Sequence, residues 1–426
     1  MTAHKHFKQL VRARMSKTGE SYSSARRQVL RQAPQPAPTK QTAYHFPGSV
    51  PAAAILRAML THAGVMDPAT GAPLSEAMVF GISGGIGAGV FSFHYAKENL
   101  SSFFVAGRHL WQDHRAWAEG AAGRLGVKTV VKESSGAKPA EQQLRQLLGE
   151  GRPVMVWVEG YRVVGVHAID DQASTALVSE AADQLRSMPL AELAATRARV
   201  KSQKNRVLAL ERAGKPPRLP ELVRVGISAC VQGLTKARMK NFTLEAFATW
   251  ADRLDGSKAA DAWEKIFPPG VHLYLGLRSI HDCIEHHGTG GGLCRPLFAE
   301  FLEESATRLG DSALGGLATR YLELGAQWSA LADAALPDGV PAFRETKELL
   351  TRKAELVHTE GASAAEGEGG ACGAELGEFA AQMKECFPLS ASQSTALRKE
   401  LKKRVRALYE EEVAAAAGLE AWADKR

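Results

Sequence analysis

A stretch in the first quarter of the chain, Leu74 to Tyr95 (LSEAMVFGISGGIGAGVFSFHY), sets five glycines in nine residues: Gly81, Gly84, Gly85, Gly87 and Gly89. Apolar runs flank them. Such density means that the backbone takes positive φ or comes close to another backbone or a ligand. Spacing excludes the standard phosphate cradles. A Walker loop needs Lys and Ser or Thr after its last glycine, and Val90-Phe91 follow here. The dinucleotide fingerprint needs G-x-G-x-x-G, whereas Gly85-Ile86-Gly87 continues as Ala88-Gly89-Val90. Two readings remain: a tight turn packed under a core, or a binding loop exposing Ser83, Gly84 and Gly85.

A second glycine run, Gly288 to Gly292, interrupts a helical pattern in HDCIEHHGTGGGLCR, residues 281–295. Cys283 and His287 share one helix face, as do His281 and Glu285, because each pair is four residues apart. The two pairs point in different directions and match no zinc spacing, so no metal is expected. Residues opening a helix can offer N–H groups to an anion or a carbonyl oxygen. His287, Thr289, Gly290 and Arg295 are the candidates for such a site. A close helix crossing is the alternative. The two glycine runs are expected to meet across an interdomain cleft, with Arg108 at its rim.

The net charge of +7 is local. Residues 1–33 hold eight basic residues and one acid, and the remainder is neutral. Phe7, Leu10, Val11 and Met15, then Tyr22, Ala25 and Val29, repeat at helical spacing around a Lys17-Thr18-Gly19-Glu20 turn. This is a basic helical hairpin with little apolar surface of its own, expected to be a dispensable appendage. Basic helices can contact phosphates, so nucleic acid is a possible partner of residues 1–33, although no base-reading motif is present. Residues 34–41 (three prolines between Ala33 and Lys40) form a stiff linker. An α+β domain is expected over 42–212, a second linker over 213–220, and a helical domain over 221–426 with a low-complexity loop at 360–373.

Five cysteines, Cys230, Cys283, Cys294, Cys372 and Cys386, are odd in number and spread out, which suits idle thiols in a reducing compartment. No apolar run approaches the roughly 18 residues of a spanning helix. No membrane partner is expected, and a cytoplasmic location is the default. Within the first domain, KTVVK, RPVMVWVE, VVGVHAIDD and TALVSE read as strands. His167, on the third of these, invites a catalytic role with Asp170 orienting it.

Ser75 to Gly81, the glycines after it and Phe91 to Tyr95 together resemble the N-terminal domain of the butirosin-biosynthesis protein H family. Ile284 to Arg295, continuing Leu297 to Glu304, looks like the uncharacterised domain that usually follows. The resemblance runs over about residues 43 to 335. It implies a papain-like α+β fold, then an all-helical domain, and transfer of an acyl group from an acyl-carrier protein to a small amine acceptor. No cofactor is demanded. Arg108 matches an arginine that follows a glycine in the family, and suits a carboxylate or phosphopantetheine phosphate. The family carries a His-Cys pair at the start of its first helix, the Cys being the nucleophile. Aligning Ile55-Leu56-Arg57 puts Val50 and Pro51 there, and no cysteine precedes Cys230. Ser49 is the nearest hydroxyl, read as an N-cap. Three functions follow: a carrier-dependent acyltransferase-like protein, a non-catalytic binding or scaffold relative, or a nucleic-acid or assembly partner working through the hairpin.

Overall fold

A computed structural model describes residues 2–32, 44–95, 97, 100–108, 114–160, 162–180, 184–214, 218–361 and 370–425. The proline-rich segment, Tyr161 and most of the 360–373 loop lie outside the described residues. The sheet-bearing part comes first and the helical part second, as expected. No helix among the described residues is long and apolar enough to cross a membrane.

The sheet has six antiparallel strands in the order β3-β8-β4-β5-β6-β7. These are β3 (Thr129–Lys132), β4 (Val154–Val158), β5 (Arg162–Asp170), β6 (Thr175–Ser179), β7 (Arg186–Pro189) and β8 (Val207–Leu210). Strand β4 reads VMVWV because both its faces are covered. Val154, Val156 and Val158 join a core under α6 (Ala137–Gly149) and α7 (Leu190–Arg199). Met155 and Trp157 point the other way, into the core shared with α3 (Pro51–His62). Proline at position 1 of a helix would let Ser187-Met188-Pro189 read as a helix start. Ser187 instead pairs with Leu177 as part of β7, and the helix starts at Leu190.

The larger core crosses the expected domain boundary. It runs from α3, through α4 (Glu76–Ile82), into α8 (Leu219–Lys236), α9 (Glu245–Leu254), α11 (Val271–Glu285), α12 (Arg295–Leu309), α13 (Ser312–Ala335) and the C-terminal α16 (Ala391–Asp424). Between α4 and α5 (His114–Arg124), β1 (Ile86–Tyr95) and β2 (Leu100–Arg108) form a separate antiparallel ribbon. Periodicity did not reveal it, because glycines crowd its first half. Its inner face lies on the helices, where Phe103 packs among Trp250, Trp263 and Phe267 and its carbonyl accepts from Ser279.

The hairpin of α1 (Thr2–Thr18) and α2 (Tyr22–Gln32) forms where its periodicity put it, but it is no free appendage. Arg26 and Arg27 are buried. Arg26 Nη1 donates to Gly48 O (2.9 Å), and Arg12 grips the Glu355 carboxylate through Nε and Nη2 (3.2 and 2.6 Å). Tyr22 packs beside His358 of α14 (Pro341–Glu360), and Ser23 Oγ meets His286 Nδ1 at 3.2 Å. The local excess of arginine thus serves docking onto the body.

Candidate binding site

The site grows from the entry to α3. Pro51 stands at its first turn, and the N-cap Val50 has no side chain able to cap. The exposed amides are met from elsewhere. The Glu76 carboxylate accepts from Ser49 N (2.8 and 3.0 Å) and from Val50 N (2.8 Å). A negative group is favoured there by the aligned N–H groups of the helix start. Burial nevertheless holds Glu76 above the usual carboxylate range, against the pull of these two amides and of Arg57 and Arg26. Ser49 does not cap the helix. Its hydroxyl is buried and without a hydrogen-bond partner.

Glu76 is placed by α4, whose N-cap Ser75 accepts from Met78 N (2.9 Å) and donates to Glu304 Oε2 (2.6 Å). Arg57, one helical turn and a half into α3, lies over the Phe46 ring at 3.9 Å and donates from Nε to Leu74 O (2.6 Å). Facing these elements is α12. It contributes Glu300, Glu303, Glu304 and Arg308, and α2 closes the third side with Arg27, Leu30 and Arg31. Between the three lies a cavity of about 550 Å³. Its charges are paired across elements: Arg27 with Glu300 (3.1 Å), Arg31 with Glu303, and Arg308 with Asp67 (2.5 Å). Burial raises Glu300 to about 7, and Arg27 and Arg31 only partly offset it. Burial also lowers Arg27. The pair is therefore a costly one, held by desolvated partners rather than by a solvated surface contact.

The residues singled out from sequence do not gather here. Ser83 is buried and donates to Phe80 O (2.6 Å), closing α4. Gly84 and Gly85 both take positive φ. At Gly85 a side chain would meet the Phe298 ring at 2.4 Å, so this glycine admits an aromatic of α12 against the backbone. Thr289 is buried, donating to Ile284 O (2.9 Å). Gly290, with φ of 67°, has Ser49 where a side chain would begin, at 2.6 Å. Arg295 is wholly buried, with Nε 2.6 Å from Glu412 Oε1 and Nη1 donating to Leu293 O (2.8 Å). His287 is exposed, and the Arg108 side chain lies outside the described residues. None of these residues lines the cavity. Gly85 of the first run packs on Phe298 of α12, and Gly290 and Gly291 of the second pack on Ser49 and Ser24, while the cavity is lined by Ser49 and by neither run.

His167 and Asp170 also part company. His167 Nε2 lies 2.9 Å from Ser179 Oγ, while Asp170 accepts from Gln172 N and Ala173 N in the turn after β5. Gly165 of β5 sits against Ile55 of α3. Burial, with His45 and His62 nearby, lowers His167 to about 4. None of the five thiols lines the cavity. Burial raises Cys230 to about 12 and Cys283 to about 11; Cys294 and Cys372 are buried too, and Cys386 is exposed away from the cavity. Among the described residues no three His, Cys, Asp or Glu side chains converge as a metal ion would need.

Sequence reasoning missed Glu300, Arg27 and Arg31. The available signal was the acidic run Glu300, Glu303, Glu304 at helical spacing on α12, facing a leader rich in arginine.

An α+β part carrying a polar cavity at its junction with a helical part is the class of molecule defined so far. Comparison with known families makes it more specific. The family model for butirosin biosynthesis protein H, N-terminal, matches residues 52–163. A domain of unknown function (DUF4872) matches residues 188–347. The chain carries the N-terminal domain of the butirosin biosynthesis protein H family, followed by that second domain. No curated protein matches the chain. The hairpin lies outside both matched segments.

Proposed function

We propose that this chain is a biosynthetic relative of the acyl-transferring proteins that works by binding, without a covalent acyl-cysteine step. The observation that carries the reading is at the start of α3. Where the family resemblance places a thiolate, the helix begins with Pro51, and its free amides are occupied by the chain's own Glu76. An acyl-enzyme needs a nucleophile beside a base, and donors left free for the developing oxyanion. Here the donors are taken and His167 lies along the sheet, paired with a serine. The cavity itself is of ligand size and sits at a junction of elements. Its ligand would be the acyl group on a phosphopantetheine arm, presented by an acyl-carrier protein, or the small amine that accepts it.

Calorimetric titration with a hexanoyl-pantetheine thioester and, separately, with a simple diamine tests this. Binding of either, abolished or weakened at least tenfold by Thr307→Trp, is expected, since Thr307 is an exposed wall residue on α12 whose enlargement fills the cavity. Equal binding by Thr307→Trp, or no heat from either probe, would remove the cavity from the account.

A further inference from the structure

We propose that the N-terminal hairpin is a gate as well as a wall: ligand reaches the cavity floor at Ser49 when α2 lifts from α12, and Arg27–Glu300 with Arg31–Glu303 form the latch. The proposal does not depend on which ligand is bound or on acyl chemistry, only on the cavity being the site.

The hairpin is fastened differently from the rest of the molecule. Its apolar anchor is a small cluster of its own, Val11, Tyr22, Ala25 and Ala354, separate from the large core. Elements held by few buried apolar contacts open at lower free energy than the core. The remaining hold is polar and reaches the approach to α3, α12 with the glycine run before it, and α14: Arg26 to Gly48 O, Arg27 to Gly290 O and Glu300, Arg31 to Glu303, and Arg12 to Glu355.

The polar seam is also poorly satisfied. Arg27 Nε and Glu300 Oε1 are 3.1 Å apart yet off the line of a hydrogen bond, and neither has another partner. Ser49 Oγ, Arg308 Nη1 and His286 Nε2 are buried and without hydrogen-bond partners as well. Each buried unpaired group costs the closed state free energy that hydration or a ligand would return. Opening α2 brings water to these atoms, so the closed and open forms lie nearer in free energy than the contact list alone suggests. Ser24 Oγ would collide with any side chain at Gly291, at 2.2 Å, so the closed hairpin is seated directly on the second glycine run. That seating supplies a functional reason for glycine at a place where the family matches leave α2 out.

The test uses the full chain with Ser49→Cys in a Cys386→Ser background, leaving the other thiols buried. N-ethylmaleimide labelling of position 49 is followed by peptide mass mapping. Glu355 holds Arg12 but does not line the cavity, so Glu355→Ala loosens the gate without altering the wall. Labelling about two- to fivefold faster is expected in Glu303→Ala, with unchanged melting temperature because its pair with Arg31 is half-exposed, and in Glu355→Ala, where the largely buried carboxylate that holds the exposed Arg12 is lost. Rates equal to the parent in both variants would overturn the gate. Hydrogen exchange on the unmodified chain gives an independent decision: α2 amides should exchange at least tenfold faster than those of α12. Exchange of the two helices at one common rate would mean that the hairpin opens only when everything does, and would overturn the proposal even if Ser49→Cys fails to fold.

Discussion

Arg295→Met will destabilise the fold by about 3–5 kcal/mol, because it leaves the Glu412 carboxylate buried without its counter-charge. Both side chains have no exposed surface, and Glu412 Oε1 also accepts from Trp328 Nε1 at 2.7 Å. The arginine further satisfies Leu293 O, at a residue held in a left-handed conformation with φ of 52°. Replacing both members, Arg295→Met with Glu412→Leu, should recover at least half of the loss, since a buried pair exchanged for apolar groups is often neutral. Urea unfolding measures both. A ligand-contacting arginine at a cleft rim, as the sequence suggested, would instead leave stability nearly unchanged when replaced.

The second large effect is in the response to acid, where three buried groups act with opposite signs. His167 at about 4 and His281 at about 3 are both lowered by burial, with neighbouring histidines adding to it. Below about pH 6.5 the unfolded chain protonates these imidazoles and the fold does not, so stability falls as pH falls. His167 alone contributes a loss of roughly 3 kcal/mol by pH 4. Glu300 is raised to about 7, so the fold holds its proton where the unfolded chain does not. Its contribution is present below the ordinary glutamate range and is lost as pH rises through 7. Denaturation at pH 7.5, 6, 5 and 4 should therefore show His167→Gln flattening the acid loss and Glu300→Gln steepening it. Identical pH profiles in the two variants and the parent would contradict these environments.

Secondary structure in the helical part was legible because core spacing is regular there. Leu297, Phe298, Phe301 and Leu302 lie on the buried face of α12, and β4 was plain from its unbroken apolar run. The β1–β2 ribbon was not, because glycine carries no strand signal. The site was legible only as an absence. Pro51 in place of a cysteine could be read from the chain, but the capping of α3 by Glu76 joins residues 26 apart and leaves no local pattern. Arg27 and Glu300 are farther apart still. Local periodicity says which face of α2 or α12 is polar, and only the packing of the two helices says that these faces meet. The glycine runs misled for a related reason. Density marks close approach, and the partners turned out to be Phe298, Ser49 and Ser24 of the chain itself.

The central claim is that the α3 start, plugged by Glu76, forms no acyl-enzyme. Intact-mass measurement after incubation with a hexanoyl-pantetheine thioester, followed by peptide mapping, tests it most directly. The account predicts no stable adduct on Ser49 or on any buried cysteine, with at most slow labelling of the exposed Cys386 that disappears in Cys386→Ser. A stoichiometric acyl adduct on Ser49, or on Cys283 or Cys294, formed by the folded chain and discharged by an added amine, would contradict it.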